Sequence, residues 1–458
     1  MKLKKIIAAL RENKLLKKSI VDTNYYLISQ LASKLLTVLV IPILARIVSV
    51  ESFGFYDAFL LYTSFLLLFA TLGIDSGLGI FIVENASNDK VLKFYYTFSL
   101  AVGFASIFLI CLIATIVQQF YTIIPANIFI LVFINLVFGF LSYTAFNFLR
   151  WLGKSKIAAI ITFVSTTSGV LIGISAMLLL KSHNINWFII GLIIGNFISA
   201  VICVWITKQY ISFKTIDESK QKAIELLKVS LPFLPNYLAN NLLLLSDRFL
   251  IMNFLNAYSY GQYSMISRIA QIPAFAVQVL NKGFLPVLFH NHNTEEGKKF
   301  NQKVLHLYIL AIIPIFIFFL FGNGFLVQLF AGDKYTKVAY LVPSMMLSVL
   351  FFGSMGFNGF GFSIKRKTIS ITLITFGSVL LNIILVLSFI KVYGLAAVAI
   401  SIMVAAAVSS IVYTWQSEKL YKIGYSLPLM IIVFTLLSVA SGVYTISNIQ
   451  EVALLLNN

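Results

Sequence analysis

Along nearly the whole chain, apolar runs long enough to cross a bilayer alternate with short polar breaks. A transmembrane helix needs about 20 predominantly apolar residues. Runs of that kind fall at roughly 21–48, 55–82, 92–117, 125–149, 157–180 and 187–207. After a charged segment they resume at roughly 229–254, 261–289, 304–331, 338–363, 369–390 and 394–416, and a thirteenth covers 427–447. The pattern predicts an all-α polytopic membrane protein with 12 core transmembrane helices in two pseudo-symmetric six-helix lobes, plus an extra C-terminal helix. The lobes are expected over 20–208 and 229–416, preceded by an amphipathic segment over 1–19 and joined by a linker helix over 209–228. In the linker, Asp217 is placed to cap a helix through Lys228, with Ile216, Ile224 and Leu227 on its apolar side.

The two halves repeat. The second span opens with Gly54-Phe55-Tyr56-Asp57 and the eighth with Gly261-Gln262-Tyr263-Ser264. Following one helical face from each start gives Asp57, Leu61, Ser64, Leu68, Thr71 and Asp75 in the first copy. The second copy gives Ser264, Arg268, Gln271, Phe275, Gln278 and Lys282. With an even number of spans in each half, both copies enter from the same side, which implies parallel repeats and a site between them near the midplane.

A lysine or arginine at mid-bilayer costs roughly 2.5–3.5 kcal/mol on insertion scales, so such residues face protein or water. Lys34 shares a stripe of the first span with Gln30 and Thr37, and Arg46 closes that span. The seventh span carries Asn236, Asn240 and Asp247 on a similar stripe beside Arg248, and the eighth adds Arg268, Gln271, Gln278 and Lys282. The candidate lumen cations are therefore Lys34, Arg46, Arg248, Arg268 and Lys282, against the carboxylates Asp75 and Asp247. That excess suits a phosphate or other anion. The purely structural alternatives stay open: Asp75 is also placed to neutralise Lys34 or Lys282, Asp247 to cap or pair with Arg248, and Arg46 to snorkel. The pair Pro232-x-x-Pro235 opens the second half and is a candidate hinge.

Composition agrees with this reading and excludes others. Of 458 residues, 60% are hydrophobic and 11% charged, with a mean hydropathy of +0.95; a soluble domain carries about 25% charged residues. The N-terminus lacks a signal-peptide cleavage site, so no leader is expected to be removed. Of 34 lysines and arginines, the side opposite the N-terminus holds only Lys181, Lys334, Lys337 and Lys391 in its loops. This bias puts the N-terminus in the cytoplasm. The net charge of +18 is spread over short loops facing anionic lipid, and no loop is long enough for a nucleic-acid module. Cys111 and Cys203 lie in separate apolar runs and offer neither a disulfide framework nor a metal spacing. His290 and His292, with Glu295 and Glu296, read as solvated loop residues. No catalytic constellation, metal site or phosphate-binding glycine loop is found, so no cofactor is expected.

Several motifs resemble a known family. Ala45-Arg46 through Phe53-Gly54-Phe55-Tyr56 is similar to the segment ending the first helix of polysaccharide (O-antigen type) flippases. Ser246-Asp247-Arg248-Phe249-Leu250, then Tyr260-Gly261-Gln262-Tyr263, resembles the matching segment of their second half. Lys365-Arg366-Lys367, Leu381-Asn382-Ile383 and Tyr393-Gly394-Leu395-Ala396-Ala397 look like their eleventh and twelfth helices. The family belongs to the multidrug/oligosaccharidyl-lipid/polysaccharide exporter superfamily. The resemblance implies V-shaped, MATE-like lobes, alternating access and a cationic lumen. The implied cargo is a polyprenyl-diphosphate-linked oligosaccharide, moved from the inner to the outer leaflet of a bacterial cytoplasmic membrane. A proton or sodium ion would be the coupling ion, and membrane lipids and the glycan assembly machinery the partners. A peptidoglycan-precursor flippase and a cation-coupled multidrug exporter are alternatives on the same fold. A membrane glycan polymerase or ligase is disfavoured by the short external connections among the first twelve spans.

Overall fold

A computed structural model describes residues 36, 39–85, 88–120, 126–212, 219–278, 280–281, 294–365 and 367–456. Every regular element among them is helical. In chain order these are α1 (39–47), α2 (Val50–Thr71), α3 (Ile74–Glu84), α4 (Asp89–Phe120), α5 (Ala126–Trp151), α6 (Ser155–Leu179), α7 (Ile185–Thr207) and α8 (Ser219–Ser230). The second half continues with α9 (Leu234–Phe254), α10 (Ala257–Ala270), α11 (272–278), α12 (Glu295–Ala331), α13 (Val342–Asn358), α14 (Phe360–Ile364), α15 (Thr368–Tyr393), α16 (Leu395–Leu420) and α17 (Leu427–Leu456). Among the described residues, 10 helical segments are long and apolar enough to span a membrane.

The chain forms two compact units. The first comprises Met1–Ile43 with Phe55–Tyr237, the second Leu44–Gly54 with Leu238–Asn458. In the first unit, α6 and α7 pack backbone to backbone. A Cβ built on Gly191 would lie 2.3 Å from the Gly173 Cα, so glycine there permits the close approach typical of membrane helix pairs. A polar ladder ties these two helices to α5: Asn196 of α7 donates to Asn135 Oδ1 of α5 at 2.8 Å and accepts from the Ser165 hydroxyl of α6 at 2.9 Å. Asn184 caps α7 by accepting from the Asn186 backbone N–H.

Three predicted spans prove to be interrupted. The apolar run 55–82 divides between α2 and α3 at Leu72 and Gly73, both left-handed at φ 49° and 72°. Gly73 has no room for a side chain, since a Cβ would sit 2.8 Å from the Ser230 carbonyl. The run 261–289 breaks at Gln271, where Pro273 removes a backbone donor from the next turn. The run 338–363 begins as a 3-10 segment, Asp333–Leu341, and breaks again at Gly359. Hydropathy alone reports apolar length and is blind to such breaks.

The linker helix α8 docks on protein by part of the predicted apolar side, Leu227, together with Leu226 and Val229. Ile224 is exposed, while Leu226 is fully buried against Ile74, Leu78, Ile82, Tyr95 and Phe148. Asp217 and Ile216 lie outside the described residues. Beyond α8, Pro232 sits in a single 3-10 turn before α9 begins.

In the second unit, α13 and α16 are mostly buried. The segment Leu44–Gly54 is held here by specific contacts. The Lys334 ammonium donates to the carbonyls of Arg46 at 3.1 Å and Val48 at 3.0 Å, satisfying acceptors at the end of α1. Phe53 packs edge-on against Tyr335. The two repeat glycines meet: a Cβ on Gly54 would lie 3.1 Å from the Gly261 Cα, and one on Gly261 only 1.9 Å from the Val50 carbonyl oxygen. Glycine at both repeat positions therefore serves one close crossing.

Candidate functional site

A polar concavity belongs to the second unit, a cavity of about 430 Å³ between α9, α10, α13, α15 and α16. Its polar wall consists of Asn240, Asp247 and Arg248 from α9, Tyr263 and Ser267 from α10, and Gln271 just beyond. Met345, Phe352 and Met355 supply an apolar wall, and Ser348, Thr375, Ser378 and Ser409 add hydroxyls. Local sequence explains the wall. Asn240 and Asp247 are two turns apart on one helical face, and Tyr263, Ser267 and Gln271 follow at successive four-residue steps. Asn256 starts α10 by accepting from the Ser259 backbone N–H at 2.8 Å, which fixes where that face begins.

At one end of this wall is a closed hydrogen-bonded node. Asp247 Oδ2 accepts from the Tyr263 hydroxyl at 2.6 Å, and Oδ1 accepts from Asn382 Nδ2 of α15 at 2.5 Å. The carboxylate is 3% exposed, so both oxygens are satisfied by protein and three helices are tied together. Arg248, beside it in sequence, is turned to another set of partners. Its Nη2 donates to Ser267 Oγ at 3.2 Å, and the guanidinium lies 5.7 Å from the Tyr263 ring centroid. It is 9% exposed yet lines the cavity, so its charge is shielded from lipid and presented to the enclosed space. A buried guanidinium with this access is a site for a planar or tetrahedral anion.

The first unit has a smaller polar pocket, about 10 Å³, lined by Thr71, Asp75, Ser99, Tyr143, Thr144 and Asn147 among others. Asp75 Oδ2 accepts from the Tyr143 hydroxyl at 2.8 Å, and the Asp75 carbonyl accepts from Trp151 Nε1 at 3.3 Å. Its other oxygen, Oδ1, is buried and has no hydrogen-bond partner among the described residues. The neighbouring Ser76 hydroxyl shares a short hydrogen bond with that of Tyr237. Asp75 stands in the first turn of α3, directly after the left-handed break.

The predicted site residues are thus divided. Asn240, Asp247, Arg248 and Gln271 share the second unit's cavity. Arg268 does not line it; its guanidinium lies 5.4 Å over the Phe53 ring. The face read from Ser264 through Arg268 is one step off the cavity face, which carries Tyr263 and Ser267. Arg46 is an exposed helix-end residue whose Nη2 donates to the Leu329 carbonyl at 2.9 Å. Gln278 is exposed on α11, away from the cavity lining. Lys34, Gln30 and Lys282 lie outside the described residues, as do His290 and His292. Sequence reasoning did not single out Tyr263, Ser267, Asn382 or Tyr143 as site residues. For Asn382 a signal existed, an asparagine in the middle of an apolar span.

Comparison with known proteins adds the family. Residues 43–340 match the family described as polysaccharide biosynthesis protein. A protein of the Lsg locus of Haemophilus influenzae is 23% identical over 341 residues, covering 71% of this chain and 81% of that protein. A Shigella flexneri protein named "Putative O-antigen transporter" is 20% identical over 276 residues, covering 59% of this chain and 65% of that one. Among solved structures, the lipid II flippase MurJ in an inward closed conformation has a TM-score of 0.66 at 17% identity. It covers 96% of this chain and 100% of that chain. An inward-facing multidrug resistance MATE family transporter of the MOP superfamily has a TM-score of 0.66 at 13% identity, covering 84% and 95%. The chain belongs to the polysaccharide biosynthesis protein family and is a multi-pass, all-helical membrane protein with the fold that MATE transporters and MurJ share.

Proposed function

We propose that this protein is a flippase that carries a polyprenyl-diphosphate-linked oligosaccharide, a repeat unit of a surface polysaccharide, from the cytoplasmic to the outer leaflet. The single observation that carries the reading is Arg248, a shielded cation lining a cavity of about 430 Å³ whose one carboxylate, Asp247, is engaged by Tyr263 and Asn382 and whose other lining is hydroxyl, amide and apolar. A diphosphate would pair with the guanidinium, sugar hydroxyls would meet Asn240, Gln271 and the serines, and the prenyl tail would stay in lipid. Family membership and the O-antigen transporter relative support the polysaccharide cargo. The likeness to MurJ keeps a peptidoglycan precursor as the second reading.

Export would proceed by exposing the loaded site alternately to the two membrane faces. Lys34, Arg46, Arg268 and Lys282 belong to the same proposal as further cations along the cargo's path. Asp75 is the candidate for coupling to a proton or sodium ion, because one of its oxygens is available while both of Asp247 are taken. The membrane is the bacterial cytoplasmic membrane, with the N-terminus inside, on the lysine and arginine bias of the loops.

The test is a strain depleted of the protein, with polyprenyl-linked oligosaccharides assayed for leaflet by a membrane-impermeant glycan-modifying enzyme. Completed units trapped facing the cytoplasm are expected, and their sugars name the cargo. Completed units still reaching the outer leaflet, in a background without other flippases, would sink the proposal.

A further inference from the structure

On the membrane face of the first unit, α5 and α7 enclose an open apolar groove of about 410 Å³ that the translocation site does not use. Its long wall is a stripe of α7: Phe197, Val201 and Val204, ending at Lys208. Buried Ala200 leaves the floor low. From Phe197 to Lys208 the stripe rises roughly 16 Å at helical spacing, about half the hydrocarbon thickness of a bilayer. The two ends differ in chemistry. One is closed by Phe197 packed edge-on against Phe138. The other carries Trp205, 69% exposed, with the Lys208 ammonium 5.9 Å from its ring centroid. Exposed tryptophan marks the membrane–water interface, so the groove runs from that interface to about the middle of the bilayer.

The interfacial end is strongly cationic. Arg150 and Lys154 stand at the turn between α5 and α6, on the same side as Lys208, and residues 150–212 contain no Asp or Glu. Lys154 Nζ donates to the Tyr210 hydroxyl at 3.3 Å, which places it beside the end of α7. An apolar slot one leaflet deep, headed by several cations, is complementary to a lipid with a single-leaflet chain and an anionic headgroup.

We infer that this groove is a binding site for one acyl chain of an anionic phospholipid, with its phosphate held by Lys208 and Lys154. The chain is buried along Val201 and Val204, and the Phe138–Phe197 closure sets the depth. A polyprenyl tail, which continues past one leaflet, does not fit behind that closure. The site is separate from the proposed translocation cavity and stands or falls independently of it.

Native mass spectrometry of the delipidated full-length protein, with phosphatidylglycerol and phosphatidylcholine of identical chains, tests the assignment. The wild type should retain phosphatidylglycerol over phosphatidylcholine by about fivefold for each interfacial cation engaged. Lys208→Gln, at an exposed position, should lower that ratio about fivefold. Val204→Trp fills the slot from an exposed position and should reduce retention of both lipids at unchanged thermal melting. Equal retention of the two lipids by the wild type would overturn the proposal, as would ratios unmoved by Lys208→Gln. Displacement of phosphatidylglycerol by undecaprenyl phosphate at lower concentration would also overturn it, and would assign the groove to a carrier tail.

Discussion

Asp247 and Asp75 sit in different units, and a tyrosine hydroxyl donates to each, yet the two carboxylates are built to different ends. Asp247 has both oxygens engaged, by Tyr263 and by Asn382, so that α9, α10 and α15 share one node. Asp75 has one oxygen on Tyr143 and the other buried without a donor among the described residues, beside a cavity of about one water's size. A satisfied buried network specifies structure, whereas a buried acceptor left without a donor costs roughly 1–3 kcal/mol. An unused buried lone pair of this kind is a place where a water, a cation or a moving helix can bind. The comparison teaches that the aspartate with more hydrogen bonds is the structural one, and the one with fewer is the candidate for function.

The largest effect expected from this contrast is on stability. Asp247→Ala strands the Tyr263 hydroxyl and the Asn382 amide and removes the nearest counter-charge in sequence to Arg248. It should cost about 3 kcal/mol or more, read as a fall in the melting temperature of the purified protein. Asp75→Ala strands only the Tyr143 hydroxyl and should cost less. Equal losses for the two alanine variants would break the comparison.

Next in size come the partners. Tyr263→Phe and Asn382→Ala should each cost about 1–2 kcal/mol. Their double variant should cost less than the sum, because both act on one carboxylate. Strict additivity of the three measured losses would mean that Asp247 is not the shared node. Tyr143→Phe in the first unit should cost about 1 kcal/mol, and nothing in its surroundings ties that loss to Asn382.

How much of this was legible in sequence depended on which kind of signal each residue leaves. Asn240 and Asp247 stand out because polar residues two turns apart in an apolar run have few ways to be satisfied. Tyr263 and Ser267 were passed over because tyrosine and serine are tolerated anywhere in a span, and their neighbour Arg268 carries the louder charge. A rotation of one residue about the helix axis then moved the chosen face from the cavity to the Phe53 ring. Repeat matching aligned Gly54 with Gly261 as the starts of equivalent spans, but spacing carries no sign that the two glycines meet at one crossing. The break at Leu72 left almost no trace, since leucine is a strong helix former and a lone glycine inside a span is common. Nor could spacing distinguish Asp75 from Asp247: each is an aspartate well inside an apolar run, and the difference lies in what the neighbouring helices donate.

The smallest structural effect should accompany the most informative functional one. Asp75→Asn keeps an acceptor for the Tyr143 hydroxyl and removes a buried negative charge whose other oxygen lacks a donor. Its amide nitrogen can point into the small cavity, where Asn147 and the hydroxyls of Thr71 and Thr144 offer acceptors. Thermal stability should therefore stay within about 0.5 kcal/mol of the wild type. If the carboxylate couples transport to a cation, the same substitution removes the charge that the ion requires. Leaflet-resolved export of the lipid-linked unit should then fall at least tenfold, with cargo binding to the second unit's cavity preserved. Wild-type export by Asp75→Asn would leave the open oxygen without a coupling role. A melting temperature several degrees lower would mean instead that the carboxylate holds α3 in place, and the distinction from Asp247 would be one of degree.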